Sequence, residues 1–332
     1  MTRQSPVRSG HLMASLLLMI GLIGLVFGPV SASPLTRLTL GTSSVGGTYF
    51  VWGGGWAKIM GEHVKGVDIS VEVTGGPATN IQLIQQRKMD LGFTTVSMAY
   101  QGWNGLDWAK GKKHDRIRAI FPMYASVLHI YTLESSPIKT IYDFEGKRIT
   151  TGAPGSTSDV AGRDVLKLLG ITPKKISSLP TNTAVDALRD GTADAGFAVT
   201  GLPGPFMLDL ETTHKVRHIG LSKEDLDKIT EAFPYYSAGV IPKGTYKYQE
   251  GDVPTVTFWN VAIADKDLPD DLVYNLVKAT FENKEALTKV DPNAAQMFAE
   301  GIKYSTVPLH PGALRYYREK GIKIPERLLP PQ

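Results

Sequence analysis

The chain has 332 residues, 42% hydrophobic and 20% charged, enough for two moderate domains with proper cores. Its 36 Lys and Arg against 32 Asp and Glu give a formal charge of +4 with no dense basic run, so no nucleic-acid partner is expected. There is no cysteine, which excludes disulfides, a thiol nucleophile and a lipid anchor on an N-terminal cysteine; the core must hold the fold.

The chain begins with Arg3 and Arg8, an apolar run from Leu12 to Phe27, and the small residues Val30-Ser31-Ala32. This order predicts an export signal over 1–32, cut near Ala32, because the run is short for a spanning helix and a cleavage site follows it. Its removal takes Lys+Arg from 36 to 34 and the formal charge from +4 to +2. The expected location is the periplasm.

From Ser33 the chain reads as repeated strand–loop–helix units. Leu38-Thr39-Leu40 enters the loop Gly41-Thr42-Ser43-Ser44-Val45-Gly46-Gly47, and a helix starts at Thr48 with Trp52, Trp56, Ile59, Met60 and Val64 on one face. Val67, Ile69, Val71 and Val73 alternate as a half-buried strand. It runs into Thr74-Gly75-Gly76-Pro77 and a helix carrying Ile81, Leu83, Ile84 and Met89. Asp90 to Val96 is the next strand, with a helix start at Ser97. Three strand ends therefore present glycines or hydroxyls at a helix N-terminus, where orphan amides and the helix dipole favour an anion. A plain turn needs the same residue types. Neither GxxxxGK[ST] nor GxGxxG is present, so no nucleotide site is expected.

Gly102 to Arg116 reads as a solvated loop under which Trp103 and Trp108 pack. Ile117–Met123 and Val127–Leu133 form a pair of apolar runs, and Ile141 to Ile149 is a short helix and turn into a strand. Thr150 to Asp159 is a second hydroxyl-rich loop before a helix bearing Val160, Val165, Leu166, Leu168 and Leu169, closed by Gly170. Ser156 or Ser158, taken alone, reads first as its cap. Thr181-Asn182-Thr183 repeats the pattern before a helix over Ala184–Arg189. The segments Gln85–Phe93 and Leu188–Phe197 share a form: a helix end, a charged turn, then Asp-x-Gly-Phe opening a strand. Two lobes on one plan are expected. Thr255–Ala264 is β-prone, Leu268–Thr288 reads as one long amphipathic helix, and the tail from Pro308 to Gln332 is expected to wrap the first lobe.

Taken together, these segments resemble the TAXI subfamily of substrate-binding proteins of TRAP (tripartite ATP-independent periplasmic) transporters. The likeness runs through Gly41-Thr42-Ser43, Gly46-Gly47-Thr48-Tyr49, Thr74-Gly75-Gly76 with Asn80, and Asp90-Leu91-Gly92-Phe93. It continues through Gly152-Ala153-Pro154-Gly155-Ser156-Thr157, Asp186 to Ala195, Gly201-Leu202-Pro203, Ile241 to Tyr246 and Leu272-Val273-Tyr274. The resemblance implies an α/β chain of type II periplasmic-binding-protein fold, with two lobes around a cleft and crossovers near Tyr124–His129 and Phe258–Asp265. Lobe 1 would be 33–125 plus 259–332 and lobe 2 126–258. It implies a monomer without cofactor or metal that delivers a small organic acid to a TRAP membrane permease driven by an ion gradient. Dicarboxylates and related amino acids, such as 2-oxoglutarate or glutamate, are the implied ligands. Two departures bear on the ligand: Pro77 stands where the family often has a serine, and Gly155-Ser156-Thr157-Ser158 lacks a glycine of the usual Gly-Ser-Gly-Thr.

On this reading the carboxylate is held by neutral donors, Thr42, Ser43, Gly47, Thr48, Tyr49, Gly75, Gly76 and Asn80 from one lobe and Ser156 and Thr157 from the other. Thr95, Asn182, Phe197 and Thr200 are candidate wall residues, and Tyr49 is equally suited to packing on its helix. An enzyme on the same fold is the main rival, but no GxSxG elbow or HExxH pair is present, and His214 and His218 lack a third zinc ligand. The binding part of an ATP-driven importer or of a sensor kinase shares the fold.

Overall fold

Two long strands, β4 (Ile117–Leu133) and β10 (Val253–Asp265), run antiparallel through the computed structural model, which describes residues 35–331. The expected export signal over 1–32 lies outside those residues. On one side of the pair stand β1 (Thr36–Gly41), β2 (Val67–Glu72) and β3 (Leu91–Thr95); on the other stand β5 (Arg148–Thr150), β6 (Lys175–Ser177) and β7 (Ala195–Thr200). The sheet order is β2-β1-β3-β10-β4-β7-β5-β6, with β8 (Val216–His218) paired to β4 and β9 (Ser237–Ile241) to β10. β1 pairs β2 and β3 in parallel, as β5 pairs β6 and β7, while β3 and β7 each lie antiparallel to a central strand. The order is thus the same read from either edge.

The repeated Asp-x-Gly-Phe explains this symmetry. Asp90 accepts from the Thr39 amide at 2.8 Å and its hydroxyl at 2.9 Å, tying β3 to β1. Asp194 accepts from the Arg148 amide at 2.8 Å and from its guanidinium, tying β7 to β5. Each following phenylalanine packs on a helical glycine: a Cβ on Gly53 would come within 3.1 Å of Phe93, and one on Gly162 within 3.1 Å of Phe197. One sequence form makes one strand–helix joint, twice.

The helices that cover the sheet are α1 (Thr48–His63), α2 (Pro77–Gln85), α3 (Val96–Asn104), α4 (Thr157–Leu168), α5 (Thr181–Arg189), α6 (Pro205–Glu211) and α7 (Lys223–Ala232). After β10 come α8 (Asp270–Glu282), α9 (Lys284–Val290) and α10 (Pro311–Glu319). The apolar face of α1 is buried at Trp52, Trp56, Ile59 and Met60. One core joins residues from Leu38–Tyr124 to residues from Val261–Leu328, and two further clusters draw on residues between Val127 and Phe258. The C-terminal tail packs into the first core through Leu309, Leu314, Tyr317 and Leu328.

Three element expectations change. The two apolar runs around Tyr124 are a single strand, because Tyr124-Ala125-Ser126 holds no glycine, asparagine or aspartate to turn the chain. Pro122 lacks an amide to donate, and opposite it the β10 register shifts between Trp259 and Val261 instead of the strand ending. The helix expected over 268–288 divides at Asn283, whose side-chain amide donates to the Ala279 carbonyl at 2.9 Å and so competes with the helical ladder. Helix α5 begins at Thr181, after Pro180, so Asn182 and Thr183 sit in its first turn and not before it.

Candidate functional site

Five helices begin at one cavity between the two sets of strands. Its lining takes in Gly47 and Thr48 at the start of α1, Gly76 and Pro77 of α2, Thr95 capping α3, Ser156 and Thr157 of α4, and Thr181 of α5. The first turn of each helix lacks intrahelical partners for its amides. Gly47, Gly76 and Pro180 supply no side-chain cap; the Ala78 amide of α2 pairs with the Gly155 carbonyl and the Thr181 amide of α5 with the Ser44 hydroxyl, and the first-turn donors without such partners are left to the cavity or to solvent. Gly76, at φ 105°, takes a backbone shape that a side chain would strain. Every lining side chain is uncharged. The cavity measures about 60 Å³, room for a few waters.

The two halves touch directly around it. The Thr48 and Thr200 hydroxyls are 2.6 Å apart, those of Ser44 and Thr181 3.2 Å, and those of Thr95 and Thr157 3.2 Å. The Ala78 amide donates to the Gly155 carbonyl at 3.3 Å. Further out, Asn293 accepts from the Leu202 amide at 3.0 Å. These contacts describe a closed cleft.

Ten of the fourteen expected site residues line the cavity: Ser43, Gly47, Thr48, Tyr49, Gly75, Gly76, Thr95, Ser156, Thr157 and Thr200. Four do not. Thr42 is fully buried and donates to the Glu72 carbonyl at 2.8 Å, joining β1 to β2. Asn80 is fully buried; its amide donates to the carbonyls of Thr42 and Phe93, both at 2.8 Å, and of Gly41 at 3.1 Å. Phe197 is core, packed on Gly162 of α4. Asn182 lies at the cleft rim, where its amide fills the space beside Gly46.

Several lining residues were not expected. Tyr124, Ser126 and Asn260 sit where β4 and β10 pass under the cavity, and Val199 and Phe206 come from β7 and α6. Inside an apolar run nothing local marks such a residue; only the crossover of the strands brings it to the cleft. Thr181 carried the same hydroxyl-before-helix signal as its neighbours. Ser156 does cap α4, accepting from the Asp159 amide at 3.2 Å, while also lining the cavity. Ser158 accepts from the Val199 amide at 2.8 Å. Tyr49 donates its hydroxyl to Asn260, whose amide donates to the Tyr124 carbonyl and to Ser126. Burial raises the Tyr49 and Tyr124 phenols well above their ordinary pKa, so both stay neutral. Among the described residues, no group of three or more His, Asp or Glu is placed to hold a metal, and no helix is long and apolar enough to cross a membrane.

Known structures share this architecture. MatC from Rhodopseudomonas palustris, solved with bound malate, aligns at TM-score 0.57 and 12% identity over 86% of this chain and 97% of its own. The periplasmic binding protein BugD aligns at TM-score 0.56 and 15% identity over 88% and 100%. A Streptococcus mutans structure, from work on glutathione import through GshT, aligns at TM-score 0.50 and 14% identity over 80% and 97%. At such identities the likeness is one of fold. Two α/β halves carried on a shared antiparallel pair, with helix N-termini turned on the cavity between them, define the type II periplasmic-binding-protein fold. The chain belongs to the NMT1-like family, whose model matches residues 40–321.

Proposed function

We propose that this protein is an extracytoplasmic solute-binding protein that captures a small organic acid between two lobes and passes it to a TRAP permease driven by an ion gradient. The observation that carries the reading is the convergence of five helix N-termini, from both halves, on a cavity with no charged side chain. Amides at helix N-termini hold a carboxylate through charge-assisted bonds without a buried counter-cation. The lobes are 33–125 with 259–332, and 126–258, a division supported by the separate cores. Contacts made by both halves exist only in the closed form, so a ligand bridging them draws the population toward closure.

The TRAP assignment rests on the TAXI-like segments quoted above, whose Gly47-Thr48-Tyr49, Gly75-Gly76 and Ser156-Thr157 lie at the cavity. A role in an ATP-driven importer is the second reading, favoured by the fold shared with the Streptococcus mutans structure; the kind of permease encoded beside the gene separates the two. Neither reading requires catalysis or a cofactor. Titration calorimetry of the mature protein with small mono- and dicarboxylates and amino acids tests the ligand class. At least one acid should bind saturably at one site, and binding of neutral solutes with no acid bound would overturn the proposal.

A further inference from the structure

Two properties of the cavity bear on which acid it accepts. The first is charge. Its walls offer no carboxylate to meet an ammonium group and no guanidinium or amine to meet a second acid group. The helix N-termini add positive potential, roughly half an elementary charge at each helix end, which favours an anionic group and opposes a cation. An ammonium drawn in would exchange its hydration for hydroxyls and carbonyls alone, and a buried charge without an ionic partner is expensive. Pro77, Ala153, Ala198, Val199 and Phe206 add apolar surface to the wall.

The second property is an uncommitted hydroxyl. Tyr124 is 0% exposed and lines the cavity, and its hydroxyl makes no well-formed hydrogen bond; the nearby Thr48 hydroxyl is taken up by Thr200 at 2.6 Å. The polar groups around it are engaged with one another: Tyr49 with Asn260, and Asn260 with the Tyr124 carbonyl and Ser126. A buried hydroxyl left unpaired is unfavourable, and a ligand that reaches it removes that penalty.

Building on the small-acid reading above, we propose that the ligand is a small, singly charged carboxylate without an amino group or second acid group, bearing a neutral oxo or hydroxyl oxygen that pairs with Tyr124. This departs from the dicarboxylates and amino acids that the family resemblance implies.

Titration calorimetry of the mature protein with two matched sets tests it: pyruvate, lactate and alanine, and then valerate, 2-oxovalerate, norvaline, 2-oxoglutarate and glutamate. An oxo or hydroxy monoacid should bind at least about tenfold more tightly than the amino acid and the diacid of its own length, the factor that corresponds to about 1.4 kcal/mol. Tyr124→Phe removes no well-formed hydrogen bond, only an approach to Thr48, so it should melt close to the parent. It should lose the preference for 2-oxovalerate over valerate while binding valerate unchanged. Equal or tighter binding of norvaline, glutamate or 2-oxoglutarate overturns this proposal and leaves the small-acid reading standing. Binding of none of the acids overturns both. A Tyr124→Phe protein that keeps the oxo preference overturns the Tyr124 contact.

Discussion

Asn80 shows how a residue can belong to the site's architecture without touching what the site holds. Its amide gathers the carbonyls at the end of β1 and in the middle of β3, and its own oxygen accepts from the Thr74 hydroxyl at 2.7 Å. Asn80→Ala leaves several buried groups unpaired and should cost about 3 kcal/mol in urea denaturation; a variant of unchanged stability would show that these bonds do not hold the loop. The buried histidines of the second half make a separate prediction. Burial lowers His129 to about 3 and His218 to about 4 from the ordinary 6.5. In the unfolded chain both take a proton near pH 6.5 while the folded protein keeps them neutral. Their contribution is therefore fully present above pH 6.5 and is lost as pH falls toward 4, by up to about 1.4 kcal/mol per group for each tenfold rise in acidity. Asp164, raised by burial to about 6, works in the opposite sense, since its folded form holds a proton that the unfolded form releases above 3.8. Two histidines outweigh one aspartate, so the melting temperature should drop from pH 7 to pH 4.5. His218, stacked at 4.7 Å on Tyr246 with neither ring nitrogen bonded, should give a flatter profile as His218→Phe. An unchanged profile would assign the acid sensitivity elsewhere.

At the scale of elements, the helix N-termini carry both stability and function, and Ser156 allows the two to be separated. It caps α4 and faces the cavity at once. Ser156→Ala removes the cap and should cost about 1 kcal/mol, along with some affinity. Ser156→Asp retains a good capping oxygen but brings a carboxylate to the cavity proposed to hold an acid. It should melt within a degree or so of the parent while losing roughly a hundredfold in affinity for any acid, about 2.7 kcal/mol of like-charge repulsion in a desolvated site. Normal binding by that variant would place the ligand carboxylate away from α4. The strand–loop–helix units themselves were readable because each carries its own signals: alternating apolar residues, then glycines and hydroxyls, then an apolar stripe. Continuity was harder to read. β4 crosses from one half to the other through Tyr124-Ala125-Ser126, and only its partners in β10 and β7 show that the strand does not stop there.

Across the whole molecule, the two halves meet through hydroxyl pairs at the cavity and through a second contact beyond it, where Asn293 accepts from the Leu202 amide. Asn293 is buried, is braced by Asp291 through a bond of 2.8 Å, and does not line the cavity. Asn293→Ala should weaken ligand binding about fivefold by disfavouring closure, with about 1 kcal/mol lost from the closed form. Small-angle scattering should show a smaller radius of gyration with ligand than without, and a smaller ligand-free population of the compact form in the variant. Equal affinities would remove Asn293 from the closure.

By itself the sequence determined the units and the symmetry, and it raised the expectation of the chemistry. Period-two and helical patterns set the elements, the Asp-x-Gly-Phe repeat forecast two like halves, and glycine- and hydroxyl-rich helix starts pointed to an uncharged anion site. These are local signals, complete within a dozen residues or so. Which residues face the cavity was decided by the tertiary structure. A loop turned one way sends Thr42 and Asn80 inward to backbone carbonyls and Ser43 and Thr48 outward to the cleft. Residues far apart in the chain, Tyr124 on β4 and Asn260 on β10, become its floor only when antiparallel pairing lays the two strands side by side beneath the cavity. The lone hydroxyl of Tyr124 exists only in that packing, and it is the feature that narrows the ligand.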